Sequence, residues 1–284
     1  MNNLIPPCSY QGGKQRLAKQ IVDIIYKENN IDKNTKFFDI CCGSGAVSLE
    51  LINNNFNPNN ITMIDINIFG LFYEYVSKNK FDLNIFKEEI DKLPDKEYIQ
   101  LYLKQLSNLP IDKEKLVYQY LLLQAGSFGS KQIYIKDDKW KNNTFRNYWQ
   151  PTKNSNRKSP VNPMMPMVDT LFERVENIVN NLSGKIVAYN DDIFNILNIF
   201  SNLDNNAIIY IDPPYSNTTK YKDSFDIYEL IDKLKNINDF AIYISEGVEL
   251  DNAKNTYLLS KGRTKGNISG NVIKKPVEEW LNKF

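Results

Sequence analysis

A chain of 284 residues, 42% of them hydrophobic, can bury one large core or one core carrying an inserted subdomain. It contains no histidine, which removes Ser-His-Asp and Cys-His nucleophile systems and every His-ligated metal site, and with no CxxC pair no metal is expected. The net charge is only +1, yet residues 129–158 carry eight Lys and Arg against two Asp, and residues 254–275 carry six against no acid, leaving −11 on the rest. Two basic strips on an acidic body read as a polyanion footprint or as solvated lysine-rich loops.

No apolar run reaches bilayer length and the first residues lack signal-peptide character, so a soluble cytoplasmic protein is expected, with no membrane partner. Cys41 and Cys42 are adjacent and read as buried structural thiols.

In chain order, Leu17, Ile21, Ile24 and Ile25 follow Gly12-Gly13-Lys14 at helical spacing. Thr35–Ile40 reads as a short buried strand, Cys41–Gly45 as its turn, and Ala46–Ile52 as the next helix. Ile61–Asp65 is a second strand, followed by a helix at Ile68–Ser77, a strand–helix alternation that predicts a parallel sheet. Residues 81–125 turn helical and polar, with breaks at Pro94 and Pro110. Residues 126–166 read as a loop-rich insertion outside the sheet, with prolines at 151, 160, 163 and 166.

An apolar stripe from Val168 to Leu182 then restores helical periodicity, ended by Ser183-Gly184. Strands follow at Lys185–Tyr189, Ala207–Ile211 and Ala241–Ser245, with a helix at Ile227–Ile237, and Thr256–Ile273 reads as a terminal hairpin. The expected fold is therefore α/β, a Rossmann-like sheet with helices on both faces. Its catalytic domain is split into residues 1–80 and 167–284, and a mainly helical module at 81–166 is inserted between them.

Open parallel sheets bind ligands at the carboxyl ends of their strands, and the informative residues fall there. After the first strand stands Asp39-Ile-Cys-Cys-Gly43-Ser-Gly45, a turn that either lets a ligand approach the backbone or serves structure alone. Asp65 ends the second strand, placed to accept ribose hydroxyls or to cap a helix. Asn190-Asp191-Asp192 ends the third, with a carboxylate for an adenine amino group or for a cap.

The fourth strand ends in Asp212-Pro213-Pro214-Tyr215. An exocyclic amine on an aromatic base is a poor nucleophile because its lone pair is conjugated into the ring. The Asp212 carboxylate and the Pro213 carbonyl can accept its two hydrogens and favour a tetrahedral nitrogen, while Tyr215 offers a face for a flipped base.

This motif, the Asp39-x-x-x-Gly43-x-Gly45 turn and the stretch Pro6-Pro-Cys-Ser-Tyr10-Gln-Gly12-Gly13-Lys14 together resemble the Dam-like DNA adenine-N6 methyltransferases, and the aromatic, basic segment from Gly126 to Trp149 resembles phage-associated members of that family. The resemblance implies methyl transfer from S-adenosylmethionine to adenine N6 in double-stranded DNA by base flipping. It implies a bacterial or phage-encoded enzyme of DNA modification, including restriction-modification. It assigns Tyr10, Gly12, Lys14, Asp39, Gly43, Gly45, Asp65, Asp192 and Asp212 to the cofactor, and Asp212, Pro213, Pro214 and Tyr215 to catalysis. Tyr10 stands where Trp is common in the family, and Cys41-Cys42 where Phe or Pro often precede the glycine.

In the insertion, Tyr134, Trp140, Phe145, Tyr148 and Trp149 interleave with cations, so aromatics wedge bases or build a small core. Lys131, Lys139, Lys141, Arg146, Arg157 and Lys158, with Arg263 and Lys265 near the terminal hairpin, are the expected DNA contacts. A monomer is expected. Methylation of RNA adenine or cytosine N4, or a non-catalytic DNA-binding module on the same fold, stay open at this point. A nicotinamide dehydrogenase is disfavoured by the missing GxGxxG.

Overall fold

The computed structural model describes residues 3–9, 11–95, 98–146, 167–214, 225–261 and 278–284. Tyr10, Tyr148, Trp149, Arg157, Lys158, Tyr215, Arg263 and Lys265, all singled out above, lie outside the described residues, as do the prolines at 151, 160, 163 and 166.

The chain runs α1 (Ala18–Glu28), β1 (Lys36–Ile40), α2 (Ala46–Asn53), β2 (Ile61–Ile64) and α3 (Ile68–Ser77). It continues through α4 (Leu83–Asp91), α5 (Ile99–Leu106), α6 (Leu116–Gly126), β3 (Tyr134–Lys136) and β4 (Lys139–Lys141). Then come α7 (Val168–Leu182), β5 (Val187–Tyr189), β6 (Ala207–Ile211), α8 (Ile227–Ile237), β7 (Ala241–Glu246), β8 (Asn255–Ser260) and β9 (Glu279–Lys283). No helix among the described residues is long and apolar enough to cross a membrane.

Among the described residues, seven strands form one sheet in the order β5-β2-β1-β6-β7-β9-β8. The first five are parallel, and β9 runs antiparallel between β7 and β8. This is a mixed, Rossmann-like sheet with helices on both faces, as the strand–helix alternation predicts. The expected hairpin over 256–273 is corrected: β8 pairs with β9, whose register sets Leu258 opposite Trp280. The second arm lies closer to the C-terminus than the sequence pattern placed it, because Glu279-Trp-Leu-Asn-Lys283 is too short and charged to stand out.

The central strands are covered on both faces, so their apolar runs are nearly continuous. In β6 every residue is buried; Ile208 and Tyr210 face one core, and Ala207, Ile209 and Ile211 the other. The first core takes in buried residues of helices α1 to α7, and the second holds Leu230, Ile231 and Leu234 of α8. Helices α4 to α6 thus share the first core with one face of the sheet: Phe69 of α3 meets Tyr120 of α6 edge-on, with ring centroids 5.1 Å apart.

Outside the main sheet, β3 and β4 form a separate antiparallel hairpin, in the stretch that the sequence marks as loop-rich and outside the sheet. Asp137 and Asp138 turn it with φ of 53° and 52°. Positive φ at both central residues matches the right-handed strand twist, and aspartate tolerates it through local hydrogen bonding. Trp140 and Phe145 are buried, Trp140 lying 6.4 Å from Tyr120 in near-parallel planes, so these two rings build core and are not free to wedge bases. Tyr134, 40% exposed, is the outward aromatic of the hairpin.

Candidate active site

The turn after β1 is folded by steric need. Gly45 adopts φ of 75°, and a Cβ there would collide with the Tyr73 hydroxyl and the Met63 methyl. The Tyr73 hydroxyl donates to the Ser44 carbonyl at 2.6 Å, so α3 presses directly on the turn. Gly70 of α3 allows the same close approach from the other end, because a Cβ there would strike the Asp65 carbonyl. Cys41, at φ of 58°, holds a left-handed conformation that a non-glycine residue rarely adopts. Cys42 is buried as expected, Cys41 only half-buried. Burial holds both thiols well above their ordinary pKa, which makes them poor nucleophiles.

Asp65, 6% exposed, follows β2. One carboxylate oxygen accepts from the Gly43 N–H at 2.7 Å and the other from the Asn67 N–H at 2.7 Å. It therefore ties the glycine turn to the start of α3 without capping that helix, whose cap position is Asn67. Burial raises its pKa, and the two backbone donors pull it back.

Asp39, 1% exposed, lies beneath the turn. Its Oδ2 accepts from the Ser48 hydroxyl at 2.6 Å and the Ser48 N–H at 3.3 Å, so this oxygen is engaged by the first turns of α2. Burial pushes its pKa up to about 7, with the negative charges of Asp212 and Asp65 adding to the rise.

Asp212 follows β6, and its N–H donates to the Ile40 carbonyl at 3.0 Å, fixing the backbone beside β1. Its Oδ1 accepts from the Lys14 ammonium at 2.5 Å across 198 residues of sequence. Lys14 also lies 3.1 Å from an oxygen of Glu279 on β9 and donates to the Gly12 carbonyl at 3.2 Å. Burial pushes Asp212 up to about 6, against the pull of Lys14. Burial works to lower the Lys14 pKa, but the charges and hydrogen bonds of Asp212 and Glu279 outweigh it and raise it. Lys14, Asp39, Cys42, Ser44, Tyr210 and Asp212 line one small cavity at the carboxyl edge of the sheet.

The segment carrying Lys14 is held from outside the sheet. Gln11 N–H donates to the Ser130 carbonyl at 2.6 Å, and the hydroxyls of Ser9 and Ser130 lie 3.1 Å apart. The base of the β3–β4 hairpin is thereby joined to the residues beside the cavity.

A family model for the D12 class N6 adenine-specific DNA methyltransferases matches residues 10–261. The chain belongs to that family. It is an N6-adenine DNA methyltransferase that uses S-adenosylmethionine, and its family is defined by DNA adenine rather than RNA adenine or cytosine N4. Comparison with curated proteins returns no match.

The residues of this methyltransferase fit a cofactor with a zwitterionic amino-acid end and a nucleoside end. A buried cation and buried carboxylates share one cavity beside the glycine turn, and Asp65 stands one strand away from β1. Asp192 and Asp191 lie after β5, at the edge of the sheet. Asp192 accepts from the Phe194 N–H at 3.0 Å and caps a short 3-10 turn, while Asp191 accepts from the Asp192 N–H and the Asn195 amide. Pro213 is buried and Pro214 half-buried. Of the expected DNA contacts, Lys131 and Lys139 are exposed, and Lys141 and Arg146 half-buried.

Sequence reasoning missed Glu279, Gly70, Ser48 and the role of Asn190, whose amide donates to the Asp65 and Asn67 carbonyls at 2.8 Å each. Asn190 stood beside the singled-out aspartates, so its position at a strand end was a usable signal. Glu279 gave none, since its partner Lys14 lies at the opposite end of the chain.

Proposed function

We propose that this methyltransferase flips an adenine out of a DNA duplex and grips its amino group with the Asp212 carboxylate and the Pro213 carbonyl, the base stacking on Tyr215. The observation that carries this reading is the placement of Asp212: a nearly buried carboxylate at the carboxyl end of a central strand, in one cavity with Lys14 and the residues flanking Gly43.

S-adenosylmethionine supplies, when bound, a methyl group made electrophilic by its sulfonium charge. The protein's part is positioning and electrostatics. Consecutive prolines remove two N–H donors and fix φ, so the carbonyls beside Asp212 are held as acceptors. Drawing both hydrogens of N6 toward oxygen localises the nitrogen lone pair for attack and stabilises the positive charge that gathers there. Burial strengthens these hydrogen bonds. Asp212, pushed up to about 6, remains ionised at neutral pH. The proton that N6 sheds passes to solvent.

In this reading Asp65, the Gly43–Gly45 turn, Tyr10, Gly12, Lys14 and Asp39 hold the cofactor, and Asp192 meets its adenine ring. Residues 81–166 form the target-recognition insertion, and residues 1–80 with 167–284 the catalytic domain. The exposed Lys131, Tyr134 and Lys139 support a phosphate-gripping role for the hairpin, joined by Lys141, Arg146, Arg157, Lys158, Arg263 and Lys265. The proposed site draws Lys14, Asp39, Asp65 and Asp212 from within one chain and needs no residue of a second copy, which is in keeping with a monomer. A duplex DNA substrate is in keeping with work in the cytoplasm of a bacterium, for a host or phage gene alike.

Asp212→Ala should lower methyl transfer to an adenine-containing duplex on the order of a thousandfold or more, with the fold retained by circular dichroism. Turnover near the wild-type rate would end this assignment.

A further inference from the structure

The Lys14 ammonium sits between two carboxylates, Asp212 Oδ1 at 2.5 Å and Glu279 Oε1 at 3.1 Å. The three side chains are 5%, 11% and 15% exposed for Lys14, Asp212 and Glu279, so water screens their charges little. They come from the N-terminal segment, the end of β6 and the start of β9. Each carboxylate thus competes with the other for the same ammonium.

A carboxylate bound to an ammonium alone is a weak acceptor for a second donor, and the cation repels a nitrogen that becomes positive as it is alkylated. The Lys14–Asp212 pair by itself would oppose the reaction proposed for Asp212. A second carboxylate that holds the same ammonium removes this conflict.

We propose that Glu279 is a positioning residue for methyl transfer: it shares Lys14 with Asp212 and draws the ammonium aside when Asp212 takes the adenine amine. The inference rests on the catalytic reading of Asp212. Glu279 acts through Lys14 and need not touch the base. Its place on β9 brings the antiparallel part of the sheet into the positioning of the reacting groups. Glu246 at the end of β7 adds negative charge nearby, since its interaction with Asp212 also raises the Asp212 pKa.

The test is steady-state methylation of an adenine-containing duplex from about pH 5 to about pH 9, with melting temperatures taken alongside. Glu279→Gln should lower kcat by about tenfold with the KM for S-adenosylmethionine within about twofold of wild type. It should also move the acid limb of the kcat profile to lower pH, because losing a negative neighbour lowers the Asp212 pKa. Glu279→Asp keeps the charge but shortens the reach; it should give an intermediate kcat with the acid limb in place, and it carries the test alone if Glu279→Gln does not fold.

A wild-type kcat in a folded Glu279 variant would overturn the inference. So would a raised KM at unchanged kcat, or a kcat loss in Glu279→Gln with an unmoved acid limb and a lowered melting temperature. Asp212→Asn run beside them separates the two claims. If it is inactive while Glu279→Gln behaves as wild type, only the inference falls; if it turns over near the wild-type rate, the catalytic reading falls with it.

Discussion

The carboxyl edge of the sheet and the β3–β4 hairpin both concentrate charge, and they do so in opposite ways. At the sheet edge Asp39, Asp65 and Lys14 are buried, and each is held by named donors or acceptors. On the hairpin Lys131, Lys136 and Lys139 stand exposed beside Tyr134, while Trp140 anchors the inner face. A charge taken from water is strong, directional and costly to change; a charge left in water is weak, screened by salt and close to additive with its neighbours. The first arrangement suits chemistry on one atom. The second suits a hold on a polyanion.

The largest effect that tests this contrast concerns the hairpin's buried side. Trp140→Ala removes a ring packed against Tyr120 and should cost about 3–5 kcal/mol of stability, read by denaturant unfolding. A cost near that of a surface substitution would mean that the hairpin is not anchored through this ring.

Next is the pH dependence at the sheet edge. The folded-state pKa of Asp39 is raised to about 7 by burial, so the folded protein binds more protons than the unfolded chain between the ordinary carboxylate range and that value. For this group, stability is therefore greatest at low pH and is lost as pH rises through about 7. Asp39→Asn keeps an acceptor for Ser48 without the charge. Measured against wild type by thermal melting of the ligand-free protein, its stability should rise between pH 5 and pH 8, by on the order of 1–3 kcal/mol. A difference that stays constant across that span would show that Asp39 does not titrate as its burial requires.

The smallest effect belongs to the exposed lysines. Replacing Lys131, Lys136 and Lys139 together by Gln should weaken DNA binding by about tenfold at low salt and flatten the salt dependence by about three units of slope. Methyl transfer at saturating DNA should be unchanged within about twofold. A kcat loss that saturating DNA does not restore would place these lysines in the chemistry and erase the contrast.

Much of this division was legible in the residues. The apolar runs at β1, β2, β6 and β7 exist because strands covered on both faces tolerate few polar side chains, and Asp39, Asp65 and Asp212 stand within or just after such runs. The stripes of α3, α7 and α8 were equally plain, since a helix buried on one side repeats its apolar residues every turn. The hairpin was not legible: its strands are three residues long, and Asp137-Asp138 carries no glycine or asparagine to mark the turn. Sequence leaves Trp140 open between wedging bases and building a small core, because it does not say which face of a short strand is turned inward.

The sequence by itself determined the parallel sheet and the line of acids along its carboxyl edge, because period and punctuation are local properties of a chain. It carried the DPPY motif and the glycine turn in order, and with them the family. Only the tertiary structure decided which charges meet. Lys14, Asp212 and Glu279 come from the two ends and the middle of the chain, and ion pairing depends on distance in space and on exclusion of water, neither of which spacing along a sequence encodes.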